Sequence, residues 1–146
     1  MSKTSINIMP PTAISERIEQ IFRGNGAKKN ICPVKDILAR LGDKWSIYTV
    51  LLLGQHEKMR FNELKTRIKG ISQRMLTVTL RSLEEDGIVS RTIYSEIPPR
   101  VEYALTDLGK GLLLQLIELA TWADLNFEQV TDSRKRFELR THKEHV

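Results

Sequence analysis

The chain has 146 residues, the length of a single domain, and its 40% apolar and 28% charged residues exclude an intrinsically disordered chain. Its formal net charge is +5. One cysteine excludes an intrachain disulfide and any zinc site built on several thiolates, and three scattered histidines suggest no metal cluster and no other cofactor.

Residues 1–11 end in Pro10-Pro11 and read as a loose lead without the apolar core of a signal peptide. Residues 12–23 place Ile14, Ile18, Ile21 and Phe22 on one helical face. Gly24-Asn25-Gly26 stops that helix, and residues 28–31 form a polar link. Cys32-Pro33 opens a second, short helix with proline in the first turn, where its missing N–H costs nothing. Val34, Ile37, Leu38 and Leu41 form its apolar face, and Gly42 ends it. Asp43 is placed to cap a third helix over 44–54. That helix is apolar on nearly all sides from Ile47 to Leu53, which marks it as the buried central one. The stretch falls far short of the roughly 20 residues a membrane span needs, so a reducing cytoplasmic setting and no membrane partner are expected.

Met59-Arg60-Phe61 suits a single strand pairing. Residues 62–68 then read as a helix with Phe61, Leu64 and Ile68 on one face. After Gly70-Ile71, Ser72 caps a helix over 72–86 whose stripe is Leu76, Leu80 and Leu83, at i, i+4 and i+7. Gly87 ends it. Glu84-Glu85-Asp86 before that glycine oppose the helix dipole, so something else must keep them. Residues 88–94 and 101–105 alternate on either side of Pro98-Pro99 and predict a hairpin over 88–105. Thr106 caps a long final helix carrying Leu112, Leu113, Leu116, Leu119, Ala120, Trp122, Ala123 and Leu125. From Thr131 on, the tail is charged and is expected to fray.

A helix-turn-helix followed directly by a hairpin is the winged-helix plan. The expected fold is mainly α with a small β-hairpin, a winged helix-turn-helix with flanking N- and C-terminal dimerisation helices. Residues 1–31 form an N-terminal arm, 32–125 the DNA-binding domain with its dimerisation helix, and 126–146 a charged tail. The positive charge is local. Residues 58–81 hold seven basic residues against Glu63 alone, a net +6, so the remainder of the chain sums to −1. The basic window coincides with the helix-turn-helix, which points to a polyanionic partner.

Several motifs together resemble one family. Cys32-Pro33-Val34, Gly42-Asp43-Lys44-Trp45, Arg60-Phe61-Asn62-Glu63-Leu64 and Gly70-Ile71-Ser72 are similar to those of the HxlR-type family of bacterial transcription regulators. So are Leu83-Glu84-Glu85-Asp86-Gly87-Ile88-Val89 and Pro98-Pro99-Arg100-Val101-Glu102-Tyr103-Ala104-Leu105-Thr106. Asp43 departs from the family, which more often has a second glycine there. The resemblance implies a dimeric winged-helix protein that binds operator DNA.

With its leucines inward, the helix over 72–86 presents Gln73, Arg74, Thr77, Val78 and Arg81 as base-contact candidates. Arg grips guanine O6 and N7 with two bonds, Gln does the same to adenine, and Thr or Val meets a thymine methyl. Met75 and Thr79 are assigned to packing. Ser72 suits a phosphate, through its hydroxyl and the free helix N–H groups. Arg60, Lys65, Arg67 and Lys69 are phosphate candidates, and Arg91 and Arg100 flank the wing for a backbone or minor-groove contact. Arg100 has pairing with Glu102 or a neighbouring acid as its alternative.

The apolar stripes of the first and final helices exceed what a small winged-helix core uses, so a homodimer is expected. Residues 107–132 hold five acids against Lys110, so this part should not face DNA. Cys32, at a helix start and near Lys28, Lys29 and Lys35, is a candidate sensor thiol. In the family it resembles, some members use a cysteine at this position to sense oxidants or electrophiles. The competing assignment is a packing residue. A phosphate-binding glycine loop, a paired His and Cys and metal-ligand spacing are all missing from the sequence, which argues against an enzyme. The rival to operator binding is a winged-helix module that contacts protein or RNA.

Overall fold

The computed structural model describes residues 10–24 and 32–145. The lead over 1–9 and the link over 28–31 lie outside them, as do Asn25 and Gly26. The chain falls into two compact units, Met1–Lys44 and Trp45–Val146.

In the first unit, α1 spans Pro11–Arg23 with proline in its first turn. It ends at Gly24, whose φ of 72° is open to glycine and whose N–H donates to the Gln20 carbonyl at 3.0 Å. Ile14, Ile18, Ile21 and Phe22 form its apolar stripe, and all four are exposed. The helix expected after Cys32-Pro33 has an unexpected winding. Val34–Leu38 is π-helical and runs into a single α turn, α2, Ala39–Leu41. Gly42 closes it with its N–H on the Leu38 carbonyl at 2.8 Å. A Cβ at Gly42 would press on that same oxygen, so the tight exit requires glycine.

The second unit begins with α3, Lys44–Gln55. It is buried on one face only, through Ser46, Thr49, Val50 and Leu53, while Tyr48 is exposed. The expectation of a helix covered all round is therefore corrected. Thr49 is fully buried because its hydroxyl donates back to the Trp45 carbonyl at 2.7 Å, which satisfies it within the helix. Next come β1 (Met59–Arg60), α4 (Phe61–Arg67) and α5 (Gln73–Glu85). The turn between α4 and α5 places Gly70 at φ 85°, a conformation that side-chain-bearing residues rarely adopt. Wing strands β2 (Val89–Tyr94) and β3 (Arg100–Leu105) pair antiparallel in the register Val89 to Leu105 through Tyr94 to Arg100. Strand β1 adds to the other edge of β3, with Met59 opposite Tyr103, giving the order β1-β3-β2. The wing tip carries a cis peptide bond at Ile97-Pro98.

The core lies where α3, α4 and α5 meet this sheet. Val50, Met59, Leu64, Leu76, Leu83 and Val89 are its most deeply buried side chains. Burying each large apolar side chain contributes about 1.5–3 kcal/mol. Helix α6 spans Asp107–Leu125. Its first turn lies against the wing at Gly109, where a Cβ would run into the Ile88 carbonyl oxygen. Thr106 anchors that turn. Its hydroxyl donates to the Gly87 carbonyl at 2.6 Å, lies 3.1 Å from that of Ile88, and accepts the Gly109 N–H at 3.0 Å. The tail expected to fray is instead a continuous helix, α7, Phe127–Glu144. Phe127, Val130, Phe137 and Leu139 give it apolar positions that a count of charges overlooks.

Candidate nucleic-acid interface

Helix α5 sorts its residues by face. Leu76, Thr79, Leu80 and Leu83 are buried, and Gln73, Arg74, Thr77, Val78 and Arg81 are exposed. Ser72 caps it, its Oγ accepting the Met75 N–H at 3.0 Å. Acceptance leaves the hydroxyl proton free to donate to a phosphate oxygen, so one side chain can serve both tasks. Thr77 donates its own hydroxyl to the Gln73 carbonyl at 2.9 Å. That bond occupies the polar group and leaves the methyl as the outward feature, the half of threonine that suits a thymine methyl. Val78 stands exposed beside it. Met75, assigned to packing in the sequence, is 41% exposed in the first turn beside Arg74, whereas Thr79 is buried.

Arg91 of β2 and Gln73, Thr77 and Arg81 of α5 line a common groove of about 550 Å³, with Phe61 and Tyr103 at its apolar wall. Recognition helix and wing therefore share one concave surface. Glu84 lines the same groove, between two arginine-bearing elements. Arg81 and Arg91 line that groove with it, and sequence spacing alone does not reveal that Arg91 comes to the same surface.

The phosphate candidates separate. Lys65 and Lys69 are exposed on α4 and in the turn that leads into α5. Arg60 is exposed on β1, but its register partner on β3 is Glu102, which faces it with opposite charge. Arg67 points elsewhere. Its Nη1 lies 3.1 Å from His56 Nε2, and it lines a second pocket with Tyr48, Ile68, Leu113 and Ile117. His56, just past the end of α3, is half-buried and holds that arginine.

Arg100 takes the alternative named for it. Its Nη2 is 3.4 Å from Glu96 Oε1, and its guanidinium sits 4.1 Å from the centre of the Tyr94 ring. Its Nε is 3.4 Å from Glu102 Oε1, an ion pair without the angle of a hydrogen bond. The cation is thus engaged within the wing and braces the hairpin rather than projecting from it. Cys32 is half-buried at the mouth of the π-helical turn, and its carbonyl accepts the Asp36 N–H at 3.0 Å. Lys35 and Asp36 follow in that turn with opposite charges, while Lys28 and Lys29 lie outside the described residues. Among the described residues no helix is long and apolar enough to cross a membrane.

Comparison with known proteins agrees with this architecture. The family model described as HxlR-like helix-turn-helix matches residues 40–131. An HTH-type transcriptional regulator of Methanothermobacter thermautotrophicus is 41% identical over 100 residues, 68% of this chain and 76% of that protein. Among solved structures, the transcriptional regulator YtfH from Salmonella typhimurium superposes with a TM-score of 0.67 at 32% identity, covering 77% of this chain and 99% of that one. The redox regulator HypR in its oxidized form superposes with a TM-score of 0.60 at 41% identity, covering 65% of this chain and 97% of that one. A capped, cation-bearing recognition helix beside a braced wing, in a sequence that matches these regulators, makes the chain a winged-helix transcriptional regulator of the HxlR-like helix-turn-helix family.

Proposed function

We propose that the protein binds a pseudo-palindromic operator as a homodimer, with the helix over 72–86 in the major groove and the wing over 88–105 on the backbone or in the minor groove. The observation that carries this reading is the outward face of α5. Gln73, Arg74, Thr77, Val78 and Arg81 stand exposed on a helix whose other side is locked into the core. Lys65, Lys69 and Ser72 border that face and serve phosphates. Arg91 extends it along the shared groove. Selection from a pool of random-sequence duplexes tests the reading. Recovery of an inverted repeat supports it, and a pool that stays random after several rounds rejects it.

The homodimer is supported by the apolar residues that α6 leaves uncovered. Leu114, Ile117, Leu119, Trp122 and Leu125 are all exposed on one chain, and a two-fold partner would bury them. Cys32 is proposed as a thiol that modulates binding. Support comes from its placement at a helix start and from the likeness to a protein named a redox regulator. With one cysteine per chain, oxidation joins two copies or adds a small thiol. Operator affinity measured before and after diamide, on wild type and Cys32→Ser, decides it. A diamide effect that persists in Cys32→Ser removes the assignment.

A further inference from the structure

Beyond residue 131, where the family match stops, α7 changes character. Residues 107–132 carry five acids against one lysine, whereas residues 134–145 carry five lysines and arginines against two acids, a net +3. Arg136, Arg140 and Lys143 stand at i, i+4 and i+7, so they form one stripe along the helix, and all three are exposed. The stripe extends about 10 Å at 1.5 Å per residue. Arg136 and Arg140 repel each other at this spacing, so helix stability alone does not account for the arrangement. Phe137 lies beside the stripe, with the Arg140 guanidinium 5.7 Å from its ring centre, while Phe127 and Val130 lie toward the opposite side of the helix, and all three are exposed. Arg134 and Thr141 interrupt that apolar side, which makes it too narrow to sink into a bilayer and suited instead to packing on protein.

We infer that α7 is a second polyanion-binding element, whose basic stripe takes the phosphates of duplex DNA flanking the operator while its apolar side packs within the dimer. The inference rests on the DNA-binding reading above but on different residues. Duplex DNA presents a phosphate every ~3.4 Å along each strand, so a stripe of this length meets several.

The test uses the full chain and random-sequence duplexes of about 20 and about 60 base pairs, and reads the slope of log affinity against log salt. Wild type should show a steeper slope on the longer duplex, by up to about 0.9 for each added phosphate contact. Arg136→Gln/Arg140→Gln/Lys143→Gln should lose that difference and keep the slope on the shorter duplex. Glutamine is as good a helix former as the residues it replaces, and far-UV circular dichroism checks that α7 persists. Glu138→Gln/Glu144→Gln, which removes only acids, should tighten binding to the longer duplex. Equal slopes for wild type and the triple variant on the longer duplex overturn the inference. So does a triple variant that loses only binding to phosphatidylglycerol vesicles, which would assign the stripe to membrane. Because these duplexes contain no operator, a selection that finds no motif leaves the slope difference readable, and the two proposals fail separately.

Discussion

Arg74 and Lys65 both lie in the basic window, yet their positions predict different signatures. Arg74 sits exposed in the first turn of α5, where the proposed docking would bring it to base edges. Arg74→Ala should weaken binding to a selected operator by about 1–3 kcal/mol, and binding to random duplex by less. Fluorescence anisotropy on both duplexes checks this, and equal losses would refute base reading. As the proposed phosphate contact Lys65 would read charge alone, so Lys65→Ala should lower affinity equally on both and reduce the salt slope by about 0.9. Arg100 forms the contrast. Its guanidinium is already occupied by Glu96, Glu102 and the Tyr94 ring, so Arg100→Ala should leave the salt slope unchanged. A slope reduced as far as in Lys65→Ala would show that the ion pairs open on DNA.

At the level of elements, the parts governed by local rules were legible in the sequence. The leucine period of α5, the Ser72 and Thr106 caps and the pairing of the two wing strands all appear in the structure, whereas the expected alternation does not, since β2 is exposed from Ser90 through Ile93. The failures came where a long-range partner decides. Tyr48 is on an apolar helix but exposed, because only one face of α3 meets the core. Arg67 looks like its basic neighbours until His56, eleven positions earlier, is seen to hold it. The charges beyond Thr131 predict fraying, whereas the segment is helical through Glu144, with Phe127, Val130, Phe137 and Leu139 between the charges. A test specific to α5 separates the two tasks of its cap. Ser72→Ala should destabilise the fold by about 1 kcal/mol in urea. Ser72→Asp should restore that stability, since aspartate caps as well as serine, while placing a carboxylate where a phosphate is expected. Unfolding midpoints and DNA affinity should therefore diverge in Ser72→Asp, and parallel recovery of both would remove the phosphate role.

For the whole molecule, the charge map and the apolar map are complementary. The +6 window surrounds the helix-turn-helix, α6 carries three acids, Asp107, Glu118 and Asp124, against Lys110, and α6 also carries exposed Leu108, Leu114, Ile117, Leu119, Trp122 and Leu125. Trp122, 59% exposed in the last turn of α6, is the anchor the proposed dimer would use. Trp122→Glu should shift the protein from dimer to monomer by light scattering at micromolar concentration, with circular dichroism unchanged. A dimer that survives would move the interface elsewhere.

Thr106 joins these maps. Its single side chain touches the carbonyls at the end of the recognition-helix loop and caps the helix assigned to the dimer. Gly109, pressed against Ile88, removes the slack beside it. Start of α6, base of the wing and exit of α5 are thus clamped as one lever arm. A roll of α6 against its partner would swing each recognition helix through an arc rather than leave it behind, so the half-site spacing a dimer tolerates would follow the angle between two α6 helices.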